Sequence, residues 1–291
     1  MHSTIPTNVP FSSQVLEACI LRLAAMYPCI DVSVIGYSLR NRPIYALSVG
    51  CGPVSFMYNA SHHANEWITS VILTRFAEDI AREIHPVWQS WAGPSGGPNR
   101  PWYERYTLHT VPMVNPDGVD IVISGNNDNW KANARGVDLN SNYPAGWELA
   151  RTHKYARGYS APGPRDYVGP HPLSEPESMA MSAYTKMTDC ALTLSLHTQG
   201  EVIYWRYRDY MPPGAAELAV RLSNASNYEL EDVPDESSHA GYRDWFIENF
   251  NRPGYTIECG FGESPLPISD FNGIYNRVYP LMMEPLTGFL C

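Results

Sequence analysis

The segment His63-Ala64-Asn65-Glu66 sets an imidazole and a carboxylate three residues apart. It stands where a short apolar run, 54–59, gives way to an amphipathic helical pattern. At such a junction the two side chains face one point. Zinc takes neutral imidazole and carboxylate together, and a catalytic zinc keeps three protein donors and one open position. The third donor must come from elsewhere. His197 follows the apolar run Leu192-Thr193-Leu194-Ser195-Leu196, and α/β sheets place ligands at the carboxyl ends of such strands. Taken singly, His63 and Glu66 read as well as a surface histidine beside a helix-starting acid, and His197 as a hydrogen-bonded strand-end histidine. His62 adjoins His63 and is expected to point elsewhere, while His109, His153, His171 and His239 read as structural or solvated. Neither H-E-x-x-H nor G-x-S-x-G occurs, so those two hydrolase signatures are excluded.

The elements that must hold these residues follow from periodicity. Leu16, Ile20, Leu23 and Ala24 recur at helical spacing over 13–26, ahead of Pro28. Two β-rich runs flank Arg40-Asn41-Arg42-Pro43, which predicts a strand pair joined by a turn. A buried strand is expected over 54–59 and an amphipathic helix over 66–84, with Ile68, Val71, Ile72, Phe76 and Ile80 on one face. The stretch 86–101 reads as a Pro/Gly/Ser/Trp loop. Residues 106–114 alternate as a strand and run into the turn signal Asn115-Pro116-Asp117-Gly118. Polar or Pro/Gly loops follow at 125–129 and 161–173. Helices are expected over 177–187, 215–225 and 273–290, and strands over 190–196 and 255–259. The alternation of strands and helices predicts an α/β fold, with a mixed, mostly parallel central sheet flanked by helices.

The chain has 291 residues, 44% hydrophobic and 17% charged, enough apolar material for one large domain spanning 1–291. No repeat or low-complexity segment interrupts it. The net charge of −10 and the lack of a basic stripe argue against nucleic-acid binding. No run approaches the about 18 apolar residues of a membrane span, and the N-terminus shows no secretory pattern, so a soluble, cytoplasmic protein is expected, with an extracellular or wall location also compatible. The six cysteines form no CxxC pair; Cys19, Cys190 and Cys259 lie in apolar runs and are expected as reduced thiols. Nothing in the sequence sets the oligomeric state.

Several pieces, in order along 59–260, resemble the zinc carboxypeptidase family: NASHHANEWIT, VNPDGVD, NWKANARGVDLNSNYP, LSLHTQG, HAGYRDWF and YTIECG. The resemblance implies the family's fold and a peptidase with one zinc ion, held by His63, Glu66 and His197. It implies Glu258 as catalytic base, Asp138 as the acid orienting the first zinc histidine, and Asn140 as a substrate-binding amide. Tyr242 matches a mobile tyrosine that contacts substrate. Lys131 stands where the family often has an arginine polarising the scissile carbonyl; the charge is kept and the bidentate fork is lost. Position 141 is a sharper departure. Exopeptidases of the family follow the asparagine with an arginine that grips the terminal carboxylate, and here Ser141 follows. A serine offers no charge-assisted clamp.

The overall style is similar to the branch of bacterial γ-D-glutamyl-L-diamino-acid endopeptidases. The substrate this implies is a peptidoglycan stem peptide, cut between γ-D-glutamate and meso-diaminopimelate. Its extra carboxylates need cations; Arg243 is the first candidate, then Arg206 and Arg208. Members of the branch often carry wall-binding repeats, and none is expected within these residues. Two other readings stand beside this one: an exopeptidase that reaches the terminal carboxylate through another residue, and a peptide- or wall-binding module without catalysis.

Overall fold

A computed structural model describes residues 3–89, 93, 100–125, 127–234 and 238–289. Helices α1 (Ser13–Met26), α2 (Ile68–Trp88), α3 (Trp102–Arg105), α4 (Pro116–Ile123), α5 (Trp147–Ala156), α6 (Pro176–Thr188), α7 (Ala215–Ser226), α8 (Tyr242–Phe250) and α9 (Phe271–Gly288) surround one sheet. Its strands are β1 (Ile30–Tyr37), β2 (Pro43–Gly50), β3 (Val54–Ala60), β4 (Tyr106–Val111), β5 (Leu192–His197), β6 (Val202–Tyr204), β7 (Glu229–Glu231) and β8 (Gly254–Glu258), in the order β1-β2-β4-β3-β5-β8-β6-β7. The pairs β4/β3, β3/β5, β5/β8 and β6/β7 are parallel; β1/β2, β2/β4 and β6/β8 are antiparallel. The mixed, mostly parallel sheet expected from the sequence is present.

Side-chain alternation assigns the two faces of the sheet. Leu47, Val49, Phe56, Tyr58, Leu192, Leu194, Tyr255 and Ile257 join the core with residues of α1, α2, α7 and α9. Ile44, Ala46 and Met57 point the other way, into a second core with Met181 of α6 and Phe246 of α8. Both faces of the sheet are therefore covered, and β5 and β8 alternate, with Leu192, Leu194, Leu196, Tyr255 and Ile257 on the first core's face. The central trio β3, β5 and β8 runs in one direction, so all three deliver their carboxyl ends to one edge. Register sets Ala60 opposite Leu196 and His197 opposite Glu258.

Local chemistry explains several boundaries. Helix α1 starts where the Ser12 side chain accepts the Val15 N–H, 3.3 Å away. The Asn115-Pro116-Asp117-Gly118 segment, expected as a turn, instead opens α4. Asn115 Oδ1 caps the Gly118 N–H at 3.0 Å, and Pro116 takes the first helical position. Helix α2 begins at Ile68 rather than at Glu66, which sits in a 3₁₀ turn, Ala64–Glu66. Two helices had no visible periodicity. In α5 only Trp147, Ala150 and Lys154 are buried, and in α8 everything from Tyr242 to Ile247 is. One is too polar and the other too buried to show a stripe. Most of the expected 86–101 loop lies outside the described residues, beyond the end of α2. Cys19, Cys29, Cys51, Cys190 and Cys259 are free; Cys291 lies outside the described residues. Among the described residues, no helix is long and apolar enough to cross a membrane.

One core acid makes the fold pH-sensitive. Glu177, in the first turn of α6, is fully buried and accepts the Leu39 N–H at 3.2 Å and Asn133 Nδ2 at 3.3 Å. Burial outweighs these bonds and pushes its carboxyl from 4.5 up to about 7. Between those values the folded chain binds more protons than the unfolded one, so stability falls as pH rises. Glu177→Gln removes that loss. Relative to the parent, the variant is expected to gain on the order of 3 kcal/mol between pH 4.5 and 7.5, then level off. Urea unfolding across that range measures it; a pH-independent difference contradicts it.

Candidate functional site

The turn after β3 is tied down before any functional side chain is placed. Val114 N–H donates to Ala60 O at 3.1 Å, Asn115 N–H to Ser61 O at 3.1 Å, and Ala64 N–H to Lys131 O at 3.0 Å. Thr69 Oγ1 donates to Glu66 O at 2.7 Å, and Ser61 Oγ bonds Ser70 Oγ at 2.7 Å. Asn115 Nδ2 reaches His62 O at 3.2 Å and Ala132 O at 3.0 Å. The turn, the start of α2 and the segment around Lys131 thus form one hydrogen-bonded block.

On this block His63 Nδ1 stands 2.9 Å from Glu66 Oε1. His197 Nδ1, at the end of β5, stands 2.9 Å from Glu66 Oε2 and 3.3 Å from His63 Nδ1. Among the described residues these three form the one group of His, Cys, Asp or Glu side chains able to hold a metal ion. Two nitrogens about 2.0–2.1 Å from a tetrahedral zinc stand about 3.3 Å apart, so the donor set and its spacing fit zinc. His62 points away, to Tyr143 Oη at 3.0 Å. His109 lies off in the sheet, against Ser48 Oγ at 2.8 Å.

His63 Nε2 lies 3.2 Å from Asp138 Oδ1. With a metal ion bound, a proton kept at Nε2 by Asp138 would leave the Nδ1 lone pair for the ion. Asp138 is fixed in turn, accepting the Asn140 N–H at 3.0 Å and the Asp166 N–H at 3.2 Å. Lys131 Nζ donates to Glu66 Oε1 at 3.0 Å, and the Thr198 N–H donates to Oε2 at 3.3 Å.

The charges balance group by group. Burial disfavours the charged form of every member, and the neighbours then decide. Burial would raise Glu66, but His63, Lys131 and His197 hold it well below the carboxylate range. Burial would lower His63, but Glu66 and Asp138 lift it to about 9. His197 stays below its ordinary value, because burial outweighs its single carboxylate partner. Glu258 at the end of β8 goes the other way. Burial and the charge of Glu66 push it up to about 8, against the pull of Lys131, His63 and Arg243.

A cleft of about 350 Å³ opens over this group. His63, Lys131, Asp138, Asn140, Arg243 and Glu258, all singled out in the sequence, line it, as does Ser141. Arg243 is buried, paired with Asp244, and 6.0 Å over the Tyr204 ring. Tyr242 is the exception among the expected contacts. It is fully buried in α8, packs against His62 and Tyr143, and its hydroxyl bonds Thr185 Oγ1 at 2.8 Å. It is a core residue, and its backbone N–H fixes Asn140 Oδ1 at 3.0 Å. Arg206 and Arg208 also miss the cleft; they pair outside it with Asp232 and Glu248. Lys154, Arg165 and Tyr204 are among the lining residues that carried no sequence signal, and His239, expected to be structural or solvated, lines the cleft as well. They come from α5, β6 and two loops, and only tertiary folding gathers them.

The zinc carboxypeptidase family profile matches residues 16–278. A γ-D-glutamyl-L-diamino acid endopeptidase 1 of Lysinibacillus sphaericus is 40% identical over 286 residues, covering 92% of this chain and 70% of the relative. Murein peptide amidase A of Escherichia coli (strain K12) is 39% identical over 93 residues, 31% of this chain and 35% of that protein. Among solved structures, thrombin-activatable fibrinolysis inhibitor shares the fold with a TM-score of 0.76 at 18% identity, covering 95% of this chain and 73% of that one.

If Asp138 orients His63, Asp138→Asn weakens zinc binding about 10- to 100-fold. Competition against a chromogenic chelator measures this. Unchanged affinity in the variant contradicts the role.

Proposed function

The chain belongs to the zinc carboxypeptidase family, and on that premise we propose that this zinc metallopeptidase hydrolyses the γ-D-glutamyl–meso-diaminopimelate bond of peptidoglycan stem peptides. The observation that carries the proposal is the convergence of His63, Glu66 and His197 beside Glu258, in a cleft where position 141 is serine. The 40% identical relative, named for the same class of bond, supports it. Without an arginine at position 141, the terminal-carboxylate clamp of an ordinary exopeptidase is missing.

In this reading His63, Glu66 and His197 hold the zinc. Bound zinc supplies Lewis acidity and lowers the pKa of an attacking water toward about 7. Glu258 takes one proton from that water as its oxygen attacks the γ-carbonyl carbon. The carbon–nitrogen bond then breaks, and Glu258 returns the proton to the leaving amine. Lys131, pinned to Glu66 at 3.0 Å, places a positive charge for the oxyanion. Asn140 contributes an amide to substrate positioning. Arg243, which lines the cleft, meets one of the extra carboxylates; its Nε donates to Asp244 Oδ1 at 3.0 Å.

Mass spectrometry of L-Ala-γ-D-Glu-meso-diaminopimelate after incubation tests this directly. The expected products are L-Ala-D-Glu and free meso-diaminopimelate, and a chelator should abolish both. Glu258→Gln is expected to lower kcat about 10²- to 10⁴-fold while zinc content stays at the parent level. An intact stem peptide alongside rapid release of C-terminal residues from ordinary blocked peptides contradicts the proposal.

A further inference from the structure

The cations on the cleft wall differ in how they are used. Lys131 donates to Glu66 and Lys154 to Asp166, while Arg243 turns its Nε and one Nη to Asp244, which leaves only its other Nη without a partner among the described residues. Arg165 spends only its Nε, donating to Asp166 Oδ2 at 2.9 Å. Its side chain is 47% exposed on the cleft. Neither Nη has a hydrogen-bond partner among the described residues. It therefore keeps two parallel donors, the fork that matches a carboxylate.

The loop holds that fork rigidly. Just before Arg165, Pro164 O accepts the N–H groups of Lys131 at 2.7 Å and Ala132 at 3.0 Å. Just after it, the Asp166 N–H donates to Asp138 Oδ2 at 3.2 Å, and Tyr167 O accepts the Asp138 N–H at 2.8 Å. Both flanks of Arg165 are thus bolted to the segment that carries Lys131 and Asp138. Asp166 takes a left-handed backbone, φ 66°, which aspartate adopts more readily than most residues. Its buried carboxylate is shared between Lys154 and Arg165 Nε, which fixes the guanidinium against rotation.

We propose that Arg165 is a specificity-determining residue that receives the α-carboxylate of the diamino acid released from the γ-D-glutamyl bond. Asn140 and Ser141 line the same cleft as Arg165; Ser141 lacks the charge to hold a carboxylate, and Arg165 supplies that charge. The inference rests on the cleavage reading given above. Two arginines then answer two carboxylates, Arg165 at the α-carboxylate and Arg243 at the other.

The test uses L-Ala-γ-D-Glu-meso-diaminopimelate and its counterpart amidated at that α-carboxylate, with the parent enzyme, Arg165→Gln and Arg165→Lys. The parent is expected to favour the acid roughly tenfold to a hundredfold, mainly through KM, the range that charged hydrogen bonds give. Arg165→Gln is expected to erase that preference, and Arg165→Lys to restore part of it. Calorimetry with free meso-diaminopimelate should show weaker binding to Arg165→Gln by a similar factor. An unchanged acid-over-amide preference in Arg165→Gln, or equal losses on both peptides, overturns the role while leaving the cleavage reading intact. A parent that cuts neither peptide, yet binds diaminopimelate more tightly than Arg165→Gln does, overturns the cleavage reading and keeps Arg165. A parent that neither cuts nor binds overturns both.

Discussion

A buried carboxylate must be compensated, and Glu66 is 1% exposed. An uncompensated charge at that depth costs several kcal/mol. Its two oxygens are met by His63, Lys131, His197 and the Thr198 N–H. Those partners come from the turn after β3, the loop following α4, and the end of β5. Satisfying one acid therefore ties three distant stretches of chain together at one point. Asp138 repeats the pattern one layer out, gathering His63, the Asn140 N–H and the Asp166 N–H. The positive and negative groups of the site are thus structural partners as well as the proposed chemical ones, and removing one leaves the others buried without compensation.

The sheet makes that arrangement possible. In parallel strands all carboxyl ends face the same edge, so β3, β5 and β8 bring their terminal residues together without long loops. Pairing sets His197 opposite Glu258. A slip of one residue between β5 and β8 would turn one of them to the opposite face. Apolar alternation prevents the slip, because it would also expel Leu194 and Leu196, or Tyr255 and Ile257, from their core. The placement of His197 and Glu258 is therefore specified by hydrophobic burial on strands that carry almost no chemistry of their own.

What could be read from the sequence follows the same division. Apolar runs gave β3, β5 and β8, and α1 at its observed bounds, because burial period is a local property. His63 with Glu66, and His197 at a strand end, were visible as candidates, and the resemblance to the zinc carboxypeptidase family singled them out as ligands. The Asn115-Pro116 segment was misread because an asparagine followed by proline serves a turn and a helix cap alike; the cap wins once Asn115 Oδ1 meets the Gly118 N–H. Tyr242 was misplaced because a motif match assigns a residue type, whereas its burial depends on Thr185 and Tyr143 from other parts of the chain. Arg165, Lys154 and His239 stood in polar segments without period. Their approach to Asp138 or to the cleft depends on how α5 and the loops pack, which no single-sequence pattern encodes.

One zinc ion is expected among His63, Glu66 and His197. Anomalous diffraction above and below the zinc absorption edge, from crystals grown with one equivalent of zinc, tests it most directly. The expected result is a single zinc peak bounded by the Nδ1 atoms of His63 and His197 and the carboxylate of Glu66. A peak held by any other set of side chains, or zinc-dependent hydrolysis from a protein with no peak at this place, contradicts it.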